Sequence, residues 1–300
     1  MVYLKSFTLP GAGWELGFLG KDRESKRTCY ASRYPFGIFL DREVPPIELE
    51  PITILCGGNG SGKTTLLNLM GEKLGLRREA VFNRSSFFGT YLEQCRAELA
   101  PAFTQAVRET SRVVTSDDVF DYLLDFRYLN ENIDHRRREL LEEYTDAKYA
   151  KFQLRSLEDV DRLRQVTDAQ RKTGSRYVRD RVMRDIPGKS NGESAFLYFT
   201  REIRENGLYL LDEPENSLSP ALQRELKTFL EDSARFYHCQ FILATHSPFL
   251  LSIRGARVYD LDSRPVAERP WTQLEHVRAY YEFFREHWAQ LGEPDSTPRE

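Results

Sequence analysis

The chain has 300 residues, a formal net charge of −3 and low mean hydropathy. That is enough for one large α/β domain, alone or with a helical insertion; no run approaches the ~20 apolar residues of a membrane span, and the mildly acidic balance argues against whole-surface nucleic-acid binding while leaving room for a local basic groove. The four cysteines, Cys29, Cys56, Cys95 and Cys239, are widely separated with no C-x-x-C pair, so buried free thiols are expected in place of disulfides or metal ligands, which fits a reducing cytoplasm.

Residues 1–7 read as a first strand and lack the long apolar region of a signal peptide. Strands near 2–9, 36–40 and 47–56 are expected to form a small antiparallel addition, joined by a loop rich in Arg and Tyr. Ile52-Thr53-Ile54-Leu55-Cys56 reads as a buried parallel strand, and Thr65 to Met70 as the helix that follows it. Residues 85–115 should hold a helix and then the strand Arg112-Val113-Val114.

Residues 117–187 are strongly charged and helical in pattern, for example over 133–149 and 157–186. The runs Arg136-Arg137-Arg138 and Arg171-Lys172, with Arg176, Arg179, Arg181 and Arg184, make basic helix faces. They read either as solvated faces paired with nearby carboxylates or as a phosphate-backbone groove. Leu208 to Leu211 and Phe241 to Ala244 read as two further buried strands. In 271–290, Val277, Tyr281, Phe284 and Trp288 share one helix face, which is expected to pack back on the body, with a partner site as the alternative. Residues 292–300 read as a disordered tail.

Between the strand at 52–56 and its helix lies Gly57-Gly58-Asn59-Gly60-Ser61-Gly62-Lys63-Thr64, the phosphate-binding pattern G-x-x-x-x-G-K-[S/T]. Glycines let backbone N–H groups wrap a phosphate, and the helix start adds a positive dipole end. Gly58, Asn59, Gly60, Ser61, Gly62, Lys63, Thr64 and Thr65 are therefore the candidate nucleotide contacts. Lys63 reaches the β/γ oxygens and Thr64 is placed to hold Mg²⁺. The implied ligand is a nucleoside triphosphate.

Three further patterns follow in order. Lys189-Ser190-Asn191-Gly192-Glu193-Ser194 is a capping box, in which Ser190 and Glu193 satisfy two orphan amides, and also a glycine-containing helix start able to take an anion. Leu208 to Leu211 end in Asp212-Glu213, at the sheet edge where ligands bind. Asp212 is the candidate Mg²⁺ ligand beside Thr64, and Glu213 the candidate general base for an attacking water. Phe241 to Ala244 lead to Thr245-His246-Ser247-Pro248. His246 is either a structural hydrogen-bonder or, from its place after the other motifs, a γ-phosphate sensor.

These four motifs in this order resemble the ABC-type ATPases: Walker A loop, signature, Walker B with its glutamate, and switch histidine. The resemblance covers roughly residues 47–262. Glu193 and Asn191 in the signature are similar to the SMC, RecF and related branch. Asp212-Glu213-Pro214-Glu215, with Leu218 and Pro220, resembles the D-E-P-E-x-x-L-H-P run of RecF-like and OLD-type ATPases, with Ser219 where histidine is usual. Residues 256–262 resemble predicted stand-alone bacterial ATPases of this branch.

The resemblance implies a mixed-sheet α/β P-loop fold with N-terminal antiparallel strands and an inserted helical lobe. The lobes would run 1–116, 117–187 (helical), 188–265 and 266–300 (C-terminal helix and tail). It further implies ATP and Mg²⁺ as cofactors and a head-to-tail homodimer, each ATP held by one subunit's Lys63 loop and the other's Ser190 to Gly192. Glu213 and His246 would be the catalytic pair. Tyr30, Arg33, Tyr34 and Phe36 are candidates to face adenine, the alternative for most of them being ordinary strand packing. At the usual place of a glutamine loop stands Thr115-Ser116-Asp117-Asp118, either a helix cap with an acidic first turn or a carboxylate version of that loop. Residues 247–300 are too few for the nuclease domain of OLD-type proteins. The expected setting is a cytoplasmic ATPase in DNA metabolism or genome defence, with DNA or an effector protein as partner and no membrane insertion. The alternatives are a transporter's ATPase subunit and a nucleotide-gated scaffold with little turnover.

Overall fold

The computed structural model describes residues 1–21, 32–149, 167–169, 171–180 and 190–291. Cα packing divides the chain into two units, Met1–Val119 with Ala195–Glu300, and Phe120–Ser194.

The first unit is built on two sheets. A three-stranded antiparallel sheet has β1 (Leu4–Thr8) in the middle, flanked by β2 (Ile47–Glu48) and β4 (Arg96–Leu99). A six-stranded sheet runs β5-β6-β7-β3-β8-β9, where β3 is Ile52–Cys56, β5 Arg112–Thr115, β6 Leu208–Asp212, β7 Gln240–Ala244, β8 Arg257–Asp260 and β9 Ala267–Glu268. All its pairings are parallel except that of β8 with β9. Every residue of β3, β6 and β7 is buried, as strands covered on both faces require.

The core lies between the sheets. The helix Lys63–Leu74 is buried on nearly every side, and Leu66, Leu67, Leu69 and Met70 pack with Phe7, Ile47, Leu55 and Ile242. A polar tie crosses this core. The buried Gln240 side chain accepts from the amides of Tyr3 and Leu4 at 2.7 and 2.8 Å and donates to the carbonyls of Leu4 and Glu50. The start of β1 is thus bound to the start of β7 with no buried polar group of that glutamine left over.

Residues 36–40, expected as a strand, form turns. Gly37 has φ +89, outside the extended region, and its N–H is taken by the buried Glu15 carboxylate. The preceding segment contains a helix, Ala12–Lys21, which sequence reading took for loop. Trp14, Phe18 and Phe36 stack with centroids 4.8 to 5.7 Å apart, so aromatic packing fixes the segment. Strand β4 was not anticipated either; its mostly exposed Arg-Ala-Glu-Leu gives no apolar alternation to read.

At the C-terminal side, a 3₁₀ turn at Trp271–Gln273 leads to helices Glu275–Glu286 and Trp288–Leu291. Only Val277 of the expected apolar face is buried; Tyr281, Phe284 and Trp288 are each more than half exposed. The face does not pack on the body as expected, because the helix meets it only through its first turns, near Leu274 and Val277.

The second unit contains most of the long helix Ser116–Tyr149 and the helix Gly174–Arg179, around a small core of Leu140, Tyr144, Ala147, Ala169, Tyr177 and Val178. Lys172 pairs with Asp168 and Asp180 at 3.1 and 3.0 Å. Arg136 bonds Glu139 at 2.8 Å and lies 3.4 Å from Glu143, so this member of the basic run is paired within its own helix. Tyr30, Cys29, Arg181, Arg184, most of the expected helix 157–186 and the tail 292–300 lie outside the described residues. Among the described residues no helix is long and apolar enough to cross a membrane.

Candidate functional site

The site forms where β3, β6 and β7 end. Registers Leu55↔Ala244 and Asp212↔Ala244 bring the three strand ends level, so the loop after Cys56, the carboxylates at 212 and 213 and the turn at 245–247 leave the sheet side by side. In the loop, Gly57 and Gly62 are required by space as well as by conformation. A Cβ on Gly57 would lie 2.7 Å from Ser61 Oγ, and one on Gly62 2.6 Å from the Phe39 ring; Gly62 has φ +97. The helix starting at Lys63 has no capping side chain and no acidic residue in its first turn. Its opening amides have no intrahelical acceptor, and the dipole end stays positive, as an anion site needs.

Asn59, Gly60, Ser61, Gly62, Lys63, Thr64 and Thr65 line a cleft of about 290 Å³ together with Glu213. Lys63 Nζ donates to the Gly57 and Gly58 carbonyls at 2.7 and 3.1 Å. On one side Thr64, Thr65 and Asp212 line a larger cleft of about 680 Å³ with Tyr34, Arg78 and Phe82. On the other, Gly57, Gly58 and His246 line one of about 260 Å³ with Asp262 and His276.

The Thr64 hydroxyl hydrogen-bonds Asp212, whose Oδ1 is buried without a partner. Burial, countered first by that hydroxyl, pushes the Asp212 carboxyl up to about 6. Glu213 has φ +48 and donates its N–H to the Ala244 carbonyl at 2.9 Å, which turns the chain sharply at the strand end. One Glu213 carboxylate oxygen lies 3.8 Å from His246 Nε2 and the other accepts from Asn216. Among the described residues His246 Nε2 itself has no hydrogen-bond partner. Burial, then the charge of Lys63, holds the imidazole below its ordinary pKa, so it is neutral at pH 7.

Glu215 stands in the sequence as part of the D-E-P-E run, with no role of its own marked by that pattern. Its carboxylate accepts the N–H groups of His246 and Ser247 at 2.7 and 3.2 Å and bonds the Thr245 side chain. It therefore holds the whole turn that carries His246. The signal was a second acidic residue two positions past a strand-end carboxylate, facing a turn 31 residues downstream.

Of the expected adenine-facing residues, Tyr34 lines the large cleft, stacked on Phe88 at 5.9 Å. Phe36 is core and Arg33 is exposed. Asp118 is structural: it accepts from Thr115 N–H, the Thr115 hydroxyl and Ala80 N–H at 2.6, 2.9 and 2.7 Å. Asp117 is exposed and lines the cleft with Thr64 and Asp212. Ser190 and Glu193 make the expected capping box, with Ser190 N–H to Glu193 at 2.9 Å and Glu193 N–H to Ser190 Oγ at 3.2 Å. Ser190 and Gly192 belong to the second unit. Cys56, Cys95 and Cys239 are buried free thiols.

A carboxyl whose pKa rises on folding stabilises the fold while protonated. Its contribution is complete below the ordinary carboxyl value of 3.8 and is lost as pH rises through about 6. Without ligand, Asp212→Asn should therefore melt above wild type at pH 7.5, by the equivalent of about 1–3 kcal/mol, while Mg²⁺-dependent ATP turnover collapses. Melting curves at pH 5 and 7.5 check this; a variant no more stable than wild type at pH 7.5 contradicts the strained carboxylate.

The ABC transporter family model matches residues 46–216, and a model described as an AAA domain, putative AbiEii toxin, Type IV TA system matches residues 186–252. The thiamine import ATP-binding protein ThiQ of Chelativorans sp. (strain BNC1) is 29% identical over 226 residues, 74% of this chain and 77% of that protein. Among solved structures, the Smc head domain with an extended coiled coil bound to the C-terminal domain of ScpA, from Pyrococcus furiosus, is 13% identical with a TM-score of 0.42 over 95% of this chain and all of that one. The dimeric ATP-binding cassette MJ0796 bound to ADP and Pi is 16% identical with a TM-score of 0.35, over 76% and 90%. The family match spans more than half the chain and takes in the phosphate loop and Asp212-Glu213: this chain belongs to the ABC transporter family and is an ATP-binding, ATP-hydrolysing P-loop enzyme.

Proposed function

We propose that the chain closes as an ATP-sandwich homodimer whose hydrolytic cycle serves DNA metabolism or genome defence, from the cytoplasm. The observation that supports the engine is the convergence of Lys63, Asp212, Glu213 and His246 at one sheet edge, with Asp212 Oδ1 and His246 Nε2 unpartnered. In this reading the loop amides beyond Gly58, as far as Thr65, and the Lys63 ammonium bind the triphosphate; the Gly58 N–H, expected among them, is already donated to Asp262. Thr64 and Asp212 are the residues that would hold Mg²⁺, and the donor set fits: a hydroxyl already directed at a buried carboxylate with one free oxygen. The ion would neutralise phosphate charge.

Glu213 takes the proton of the attacking water; its left-handed backbone aims it into the loop cleft. Neutral His246 turns its free Nε2 toward the γ-phosphate, held there by Glu215. Ser190 and Gly192, exposed or half-exposed at a capped helix start, would close over the partner's ATP. The D-E-P-E run, the glutamate in the signature and the match to the AAA-domain model support the genome setting. Similarity to the thiamine-import protein supports a second reading, the ATPase subunit of an importer. Adding linear double-stranded DNA should raise ATP turnover severalfold; an unchanged rate, with co-purification of a membrane permease, would favour the importer.

Glu213→Gln keeps the shape and loses the base, a loss of about 10²–10⁴ in rate. ATP should still bind and the dimer persist in sedimentation with ATP and Mg²⁺; hydrolysis at the wild-type rate would remove Glu213 from the mechanism.

Ser190→Arg places bulk and charge where the opposing nucleotide should dock. It should bind ATP as a monomer, form no ATP-induced dimer and hydrolyse little. Mixed with Lys63→Ala subunits it should regain partial activity, because one composite site of the mixed dimer keeps both an intact loop and an intact signature. A fully active monomeric Ser190→Arg would exclude the sandwich.

A further inference from the structure

Gly58, Asn59 and Gly60, the crest of the phosphate loop, are exposed, so packing does not hold them. Two side chains outside the motif do. Asp262, just past β8, accepts the Gly58 N–H at 2.5 Å. Arg42 donates one guanidinium N–H to the Gly60 carbonyl at 3.2 Å and another to the Leu261 carbonyl, and lies 3.7 Å from the Asp262 carboxylate.

Both residues are themselves braced. The Asp262 N–H bonds an Asp260 carboxylate oxygen at 3.0 Å, and the Val266 N–H bonds the Arg42 carbonyl at 3.1 Å. Three residues before Arg42, the Phe39 ring lies under Gly62. The segment around 39–42 and the turn at 260–263 thus grip the loop at 58, 60 and 62 from outside the cleft.

We propose that Arg42 and Asp262 are positioning residues, a clamp that pre-organises the phosphate loop for the triphosphate without touching it. Glycine loses more backbone freedom on ordering than any other residue, and a ligand that must order this loop binds more weakly for it. The contribution of Asp262 is its acceptor oxygen. Its negative charge opposes a polyanion, and the neighbouring guanidinium compensates it. The proposal rests on the loop binding ATP, and the test separates the two.

ATP with Mg²⁺ is titrated calorimetrically into the full chain, with turnover measured in parallel. Wild type should bind and Lys63→Ala should not; a wild type that fails to bind overturns the triphosphate reading itself. Given wild-type binding, Asp262→Ala should weaken ATP by about tenfold, the worth of one good hydrogen bond, the loss falling on KM far more than on kcat. Asp262→Asn, which retains an acceptor for the Gly58 N–H, should return to within about threefold of wild type by the same reckoning. Arg42→Ala should resemble Asp262→Ala, and the double variant should lose less than the product of the two, as coupled partners do; this arm stands even if Asp262→Ala fails to fold. ATP binding unchanged in both alanine variants, or Asn as poor as Ala, would each overturn the clamp.

Discussion

Parallel pairing of β7 with both β3 and β6 is the interaction on which the site depends. Leu55 and Asp212 are both registered to Ala244, so three chain segments emerge together at one edge. Each strand is buried along its whole length and is apolar for that reason. The first position able to carry chemistry is the one that reaches the edge. A glycine loop, a pair of carboxylates and a histidine all stand at that level, from three segments spread between residues 57 and 246. A one-residue slip of β6 would turn Asp212 to the other face of the sheet.

The same arrangement costs stability. Among the described residues Asp212 Oδ1, Glu215 Oε2, Ser61 Oγ and His246 Nε2 are buried without partners, each a penalty of about 1–3 kcal/mol in desolvation. Burial also raises the Asp212 and Glu215 carboxyls and lowers the Lys63 ammonium and the His246 imidazole. The four shifts share one cause. They concentrate at the end of the sheet, whereas Gln240, at the start of β7, meets its side-chain demand with four backbone bonds. Unmet polar demand collected where a charged ligand arrives is the signature of a binding edge more than of a folding defect.

Around that edge the turns are held from a distance. Glu215 fastens the backbone of His246 and Ser247; Asp118 ties the start of the long helix to Ala80; Glu15 pins Gly37 beneath the loop-facing segment. Carboxylate-to-amide bonds of this kind fix backbone geometry with short, charge-assisted contacts. They let exposed, glycine-rich segments stay ordered without an apolar core of their own.

The strand ends before the glycine loop, Asp212-Glu213 and His246, and the capping box at Ser190, could be read from the chain, because each obeys a local rule. An apolar run of strand length must end where polarity begins, and a helix start needs its amides satisfied within three residues. Cys56 and Cys239 could be read as buried thiols for the same reason, lying in or beside strands. Other features could not. The turns at 36–40 replaced a strand because Gly37 bonds Glu15 and Phe36 stacks on Trp14 and Phe18. β4 is a polar edge strand defined only by its partner β1. The aromatic face of the C-terminal helix has a clear helical period, yet its period does not state whether anything covers it, and Tyr281, Phe284 and Trp288 remain exposed. The grip of Arg42 and Asp262 on the loop joins positions more than two hundred residues apart in the chain. Local periodicity records which face of an element is apolar; it carries no record of a hydrogen bond whose two ends meet only after the sheet has closed.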